Sequence, residues 1–422
     1  MSRIRYTTSR RRRRRGLVDV FSVGLLGMFG VALLVLPGLL VELPPSMVFI
    51  AYLCAAAAVV PTIASLSELC TAMPRSGGGY FFIDRSIGPA VGWIGGLAAW
   101  VVYAAETVFI LASIGLVAAA VFGLPVEAVA IGLLVCLGTI QLAGLRRLAR
   151  PRRALAGLVL GAVAVFVVLQ SVAVGLFTIE LTSFSELLPS LASGTAGLAT
   201  VTGLLFVCFA GLIGLGSIAE HVEDPERDLP RGMMLALAAS AIAVGFVMLS
   251  IQQGDLAAAA GAIDGATAGL GAIALLAVLA AAYDRLNSSA RLTHQMATDH
   301  SLPALFGRDD DRDVAPMSVL AIGAATVTGV LLVDLAVVVR VASGLTLLVF
   351  GALNLAVIIM RESDIEYYRP DFESPLYPWL QIAGVAVSGW LVWELGWVAT
   401  VSCAAVTVIG LVAYFGFARA HV

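Results

Sequence analysis

The chain is 422 residues long, 60% hydrophobic and 13% charged, with a formal net charge of -3 and a mean hydropathy of +0.99. Soluble domains run about 45–50% apolar and about 25% charged, so this composition excludes an ordinary soluble enzyme, a disordered chain and a secreted disulfide scaffold. A helical span needs about 20 apolar residues, and the long unbroken runs differ from the ~10-residue alternating segments of a membrane β-barrel. The chain reads as an all-α polytopic membrane protein with twelve transmembrane helices.

Residues 1–16 form a basic tail containing the run Arg10–Arg15, read as a topology signal with some attraction to anionic lipid rather than as a nucleic-acid arm. Apolar runs then predict helices near 18–40, 46–72, 91–121, 125–143 and 154–179. Five more follow near 198–220, 231–252, 268–290, 316–334 and 340–360, and two last ones near 378–395 and 397–418. The first run is too long for a cleavable signal peptide and lacks a small-residue cleavage site. The hydrophilic stretches 284–315 and 361–377 read as loops. Twelve spans put both termini on one side, and all 25 basic residues except Arg340 fall on that side. The positive-inside rule makes it the cytoplasmic side of the cell membrane.

Every basic residue is an arginine, which forbids any mechanism needing a lysine ammonium. Cys54, Cys70, Cys136, Cys208 and Cys403 sit in apolar runs without a CxxC pair and read as small buried hydrophobes. His221, His294 and His300 lack metal-ligand spacing, and Gly77-Gly78-Gly79 lacks the lysine of a phosphate loop. The sequence therefore predicts no metal, cofactor, catalytic residue or ATP drive, and no enzyme.

Helix one carries Gly24, Gly27, Gly30 and Pro37-Gly38, and helix six carries Gly203, Gly211, Gly214 and Gly216. Gly30 and Gly211 are 181 residues apart, and the same offset lays 154–179 over 335–360 and Pro44 over Pro225. Residues 17–179 and 198–360 thus read as two copies of a five-helix unit, with 377–418 adding two helices. An odd number of spans inverts the second copy. Glycine-interrupted helices at matching positions of inverted repeats mark a transporter's central site. Unwound backbone at that depth is tolerated only where it lines a cavity or holds a ligand, so helices one and six are expected to be broken. For any single glycine, close helix packing is the competing reading.

Three stretches resemble the amino acid–polyamine–organocation (APC) permeases. Helix one, Gly27-Met-Phe-Gly30-Val-Ala-Leu-Leu-Val-Leu-Pro37-Gly38, is similar to G-x-G-I-F-V-L-P-G. Ser67-Glu68-Leu-Cys-Thr-Ala-Met-Pro74-Arg75-Ser-Gly77-Gly78-Gly79-Tyr80 is similar to A-E-L-x-x-x-x-P-x-x-G-G-x-Y. Phe206-Val-Cys-Phe209-Ala-Gly211, leading into Ala219-Glu220-His-Val222-Glu-Asp224-Pro225-Glu-Arg227-Asp-Leu-Pro230-Arg231, resembles F-x-x-F-x-G followed by A-E-E-V-K-N-P-x-R-x-I-P-R. Ser289, Arg291, Asp299 and Leu302-Pro303 continue the likeness along helix eight.

The resemblance implies a five-plus-five inverted-repeat fold with two further helices, and uptake or exchange of amino acids or related amines. It implies that a substrate carboxylate meets amides of broken helix one at Gly30, Val31 and Ala32. The ammonium would meet carbonyls at Met28, Val207 and Ala210, with Phe209, Gly211 and Gly214 completing the site. Half-helix ends supply the physics, since an N-terminus favours an anion and a C-terminus a cation. Departures from the pattern are Ala32 for a glycine, Gly211-Leu212-Ile213 for G-F-E, Val207 where an aromatic is frequent, and Ala297-Thr298-Asp299-His300 for A-R-D-G. They favour a small neutral or apolar substrate. The lysine that some superfamily members place in helix five is absent, that helix offering only Gln170, Ser171 and Thr178.

Glu106, midway along helix three, is costly there unless paired, hydrated or protonated, which makes it the candidate for proton coupling. Ser288 and Ser289 offer hydroxyl oxygens for a sodium ion beside helix-one carbonyls, with back-bonding to their own helix as the competing reading. Glu68, Arg85, Glu220 and Arg291, near cytoplasmic helix ends, are candidate inner-gate ion pairs. The reading is a secondary transporter of a small amino acid or amine working by alternating access, coupled to protons or to exchange. The alternatives are a carrier of a non-amino-acid solute or ion on the same fold, and a transporter-like sensor, against which the short loops argue.

Overall fold

In hydrocarbon a backbone must satisfy its own N–H and C=O groups, which favours helices. The computed structural model describes residues 16–40, 45–74, 78–143, 157, 161, 195–216, 219, 222–253, 265–307, 316–363, 368–417 and 419. The basic tail, Glu220, His221 and most of the helix expected near 154–179 lie outside the described residues. Helices α1 (Leu17–Leu40), α2 (Pro45–Ala72), α3 (Gly78–Ser86), α4 (Pro89–Phe122) and α5 (Val126–Leu142) come first. Next are α6 (Thr195–Leu204), a 3-10 turn (Leu205–Phe209) and the short α7 (Gly211–Leu215). The chain continues with α8 (Pro225–Gln253), α9 (Gly265–Thr298), α10 (Pro316–Leu332), α11 (Leu335–Glu362), α12 (Trp379–Glu394) and α13 (Trp397–Gly416).

Local sequence sets several ends. Pro89 opens α4, where a missing N–H costs nothing, and Gly123 closes it in the left-handed region with φ 68°, its N–H donating to the Ala119 carbonyl. Asp334 caps α11 by accepting from the Ala336 N–H. Among the described residues six stretches are long and apolar enough to cross a membrane: Met47–Ala72, Pro89–Ala119, Gly197–Leu215, Pro225–Gly245, Leu335–Glu362 and Trp397–Gly416.

Two expectations are corrected. Helix one is not broken: Leu17–Leu40 is a single α-helix. Glycine weakens a helix but leaves its N–H able to reach the i−4 carbonyl, so glycines alone do not force an interruption. Nor do 284–298 form a loop, because α9 runs on to Thr298. Arg285, Leu286, Ser289, Leu292, Thr293 and Met296 are all buried at helical spacing; their polar composition hid that period. Arg285 is therefore no cytoplasmic loop residue, and the one-sided arginine pattern loses it.

Helix α4 is the hub, packing on α3, α5, α9, α10, α11 and α13, while α11 packs on α2, α3, α4, α12 and α13. Helix α1 lies against α8, the 3-10 turn, α7 and α9. Helices α12 and α13 present exposed Trp379, Trp390, Trp393 and Trp397, the residues enriched at membrane–water interfaces.

Among the described residues the most densely bonded buried group is Glu68, near the end of α2. Its Oε1 accepts from Arg361 Nε at 2.7 Å and from the Tyr368 hydroxyl at 2.9 Å. Its Oε2 accepts from Arg361 Nη2 at 2.9 Å and from the Ser374 N–H and Oγ at 2.8 and 2.6 Å. Gln381 of α12 donates to that same Ser374 hydroxyl. One carboxylate thus joins α2, α11, the 368–374 segment and α12. Burial, with Glu68 beside it, holds the Tyr368 phenol above its ordinary range, so it remains a donor.

Removing one partner of a buried pair costs about 3–5 kcal/mol, whereas an exposed pair contributes about 0–1 kcal/mol. Glu68→Ala should therefore lower the thermal unfolding midpoint of the detergent-purified protein by several degrees. Arg85→Ala, at an exposed arginine 3.9 Å from its neighbour Asp84, should leave the midpoint unchanged. Equal midpoints for the two variants would show that the Glu68 cluster carries no stability.

Candidate transport site

Helix six changes geometry at its middle. Thr195–Leu204 is α-helical, Leu205–Phe209 tightens to a 3-10 turn, and α7 starts at Gly211. The Ala210 N–H donates to Val207 O at 3.3 Å and the Ile213 N–H to Ala210 O at 3.0 Å. Ser343 of α11 donates to Leu204 O at 2.7 Å, taking up a carbonyl at the transition. Leu205 to Ala210 are all buried. A side chain at Gly211 has no room: a Cβ there would lie 2.7 Å from the Gly27 carbonyl and 2.8 Å from Arg285 Nη2. Helices one and six therefore meet backbone to backbone.

Beside that contact sits a buried ion pair. Arg285 of α9, 1% exposed, and Glu106 of α4, 0% exposed, bring Nε and Oε2 to 3.0 Å. The approach is close but not aligned as a hydrogen bond, and neither Glu106 oxygen has a donor aligned on it among the described residues. Arg285 Nη2 instead donates to the Gly27 carbonyl of α1 at 2.9 Å. Ser289, one turn along α9, is fully buried with an Oγ that has no hydrogen-bond partner among the described residues.

A cleft with about 360 Å³ of empty space, part of it open solvent, lies between α3, α4, α7 and α9. Tyr103, Gly214 and Ser288 line it, together with Tyr80, Arg291 and Gln295. Tyr103 is three residues before Glu106 on α4, and Ser288 three after Arg285 on α9, so the cleft reaches within one turn of the ion pair. Tyr80, on the cleft wall, meets the Ser301 hydroxyl at 3.0 Å, and Trp93 Nε1 donates to the Ser301 carbonyl at 3.0 Å.

The structure places the predicted residues as follows. Met28 and Val31 are buried in α1, and Gly30 and Ala32 lie within its continuous helical backbone. Val207, Phe209 and Ala210 are buried at the 3-10 turn; the Phe209 ring packs 5.4 Å from that of Tyr52. Gly211 touches Gly27, Gly214 lines the cleft with Ser288, and Glu106 faces Arg285. Glu68 pairs with Arg361, Arg85 stands over the Phe81 ring at 5.8 Å, Arg291 lines the cleft, and Glu220 is outside the described residues. Sequence reasoning missed Arg285, Arg361 and Tyr103. For Arg285 the available signal was the stripe 285, 289, 292 and 296, which continues helical spacing through a polar stretch.

Comparison with known proteins places these features in a family. A family model described as amino acid permease matches residues 19–416. The chain is similar to the methylthioribose transporter of Bacillus subtilis, 24% identical over 270 residues, 60% of this chain and 57% of that protein. It is also similar to the branched-chain amino acid permease BcaP of Bacillus subtilis, 26% identical over 255 residues, 55% of this chain and 53% of that one. The chain thus matches little more than half the length of these relatives. A crystal structure of an Eremococcus coleocola manganese transporter mutant shares the fold, with a TM-score of 0.54 at 11% identity over 96% of this chain and 94% of that one. The chain belongs to the amino acid permease family.

Proposed function

We propose that the protein is a secondary transporter moving a small neutral amino acid or related amine across the cytoplasmic membrane by alternating access, driven by protons or by exchange, with both termini cytoplasmic. The reading takes residues 17–179 and 198–360 as inverted five-helix units that rock about the site, with 377–418 as two added helices. The observation that carries it is the backbone contact of Gly27 with Gly211, where the interrupted helix six meets α1 beside the buried Glu106–Arg285 pair. Ion pairs buried inside a membrane protein mark pathways and relays more often than scaffolding. A small apolar cargo fits a cleft lined by Ile213 and Gly214, with Val207 and Ala210 buried at the adjoining turn. Arg285, within about one turn of Ser288 and Ser289 on α9, puts its own positive charge on the Gly27 carbonyl of helix one, which disfavours a sodium ion beside it, so the coupling is read as sodium-independent.

A second reading has one observation behind it. Unbroken α1 keeps the N–H groups of Gly30, Val31 and Ala32 within its own ladder, which suits a solute without a carboxylate, and one relative bears the name of a methylthioribose transporter.

Reconstitution in liposomes with a pH gradient, a sodium gradient or neither tests the proposal. The expected result is uptake or exchange of a small neutral amino acid that follows the pH gradient or a counter-substrate and ignores sodium. No transport of any amino acid or amine in a labelled panel would sink it. Gly211→Val, which forces a side chain onto the Gly27 carbonyl and Arg285, should abolish uptake; retained uptake would put the site elsewhere. Glu106→Gln should uncouple uptake from the pH gradient, and unchanged proton-driven uptake would remove Glu106 from the coupling.

A further inference from the structure

The buried charge balance at the site points to a specific ligand chemistry. Among the described residues Arg285 is the only fully buried cation. One of its donors is committed to Gly27 O, yet its Nε lies against Glu106 without an aligned hydrogen bond. Both oxygens of that carboxylate also lack aligned donors among the described residues. A charge pair buried this deeply persists comfortably only when its lone pairs and N–H groups are satisfied, so this pair is poorly matched to remaining as it is. Because α1 is continuous, its amides at 30–32 are not free to receive an anion. The cleft supplies the approach, since Tyr103 and Ser288 bring it within a turn of both partners.

Resting on the transport reading above, we propose that Arg285 is the anion-binding residue of the site: a cargo carboxylate entering from the cleft takes the guanidinium in place of Glu106, and Glu106 takes a proton. Two carboxylates beside one guanidinium in a dry core cannot both stay charged, and protonation of one restores neutrality. The step balances. An O–H bond forms on Glu106 with a proton taken up from solvent through the cleft, the cargo carboxylate replaces the Glu106 negative charge, and for a carboxylate that carries no ammonium the local net charge is unchanged. One proton therefore enters the site with each carboxylate. The other charged and titratable groups around Glu106 are Asp284 of α9 and Cys208 of the 3-10 turn, with Arg291 acting on the adjoining Tyr103. The substrate class that follows is a small monocarboxylate, for which an α-ammonium is secondary.

The test uses purified full-length protein in detergent with three probes: L-leucine, its deaminated counterpart isocaproate and its decarboxylated counterpart isoamylamine. Wild type should bind leucine, isocaproate should displace it and isoamylamine should not. In weakly buffered solution isocaproate binding should take up one proton per site, and Glu106→Gln should bind isocaproate with no uptake of protons. The double variant Arg285→Gln with Glu106→Gln leaves a neutral core, and its leucine affinity should fall by about a hundredfold or more, the scale for truncating a buried charge partner. A thermal unfolding curve checks that it is folded. Unchanged leucine affinity in the folded double variant overturns the role of Arg285 while leaving amino acid transport standing. Displacement by isoamylamine alone, failure of isocaproate to displace leucine, or isocaproate binding by wild type without proton uptake overturns it too, and none of these measurements depends on the variant folding. Transport of amines or carboxylate-free solutes, with binding of none of the three probes, overturns the amino acid reading together with this one.

Discussion

The Arg285–Glu106 contact is the constraint on which the centre of the molecule turns. Removing two charges from water is expensive, and their attraction offsets that only with further hydrogen bonds in place. Here the additional bond is to the Gly27 carbonyl, so α1, α4 and α9 must all be docked for the guanidinium to have both its charge partner and that bond. The demand extends to helix six, because any side chain at Gly211 would collide with both Gly27 and Arg285. One arginine therefore fixes the relative depth of four helices.

The interruption of helix six follows from the same crowding. A 3-10 segment is narrower than an α-helix and rises more per residue, which lets Leu205–Phe209 pass buried between α1 and α11 before α7 begins. Ser343 takes the Leu204 carbonyl at that point. Further along, Gly216 passes so close to Gly78 that a Cβ would lie 3.0 Å from the Gly78 Cα. Away from this tight centre, the Glu68 cluster holds α2, α11 and α12 together with well-directed bonds on both carboxylate oxygens. The contrast between the two buried acids is physical: Glu68 is fully bonded and reads as a fastening, whereas Glu106 is close to its partner but poorly directed and reads as a group that exchanges partners.

Much of the helix layout was legible because apolar runs of span length leave few alternatives. Pro45–Ala72, Pro89–Phe122, Val126–Leu142 and Trp397–Gly416 fall within a few residues of their expected limits. Glycine counting was a poorer guide, since clusters of similar density accompany a continuous α1 and an interrupted helix six. What distinguishes them is the neighbour each must pass. Glu106 stood out as an acid in an apolar run, but its partner did not, because Tyr283-Asp284-Arg285 reads locally as the start of a loop. Similarly, Glu68 was visible within a motif, while Arg361 and Ser374 lie about 300 residues away.

Sequence by itself determined that the chain is a helical membrane protein of the permease type, because hydropathy, arginine placement and the glycine–proline motifs are local or one-dimensional properties. It also marked Glu106 as an anomaly, since the cost of a carboxylate in hydrocarbon does not depend on the fold. Only the tertiary structure decided which cation meets that carboxylate, which of the two glycine-rich helices is interrupted, and where Glu68 finds its donors. Those outcomes depend on which surfaces come within about 3 Å of one another, the range over which hydrogen bonds and steric exclusion act, and spacing along the chain does not encode that distance.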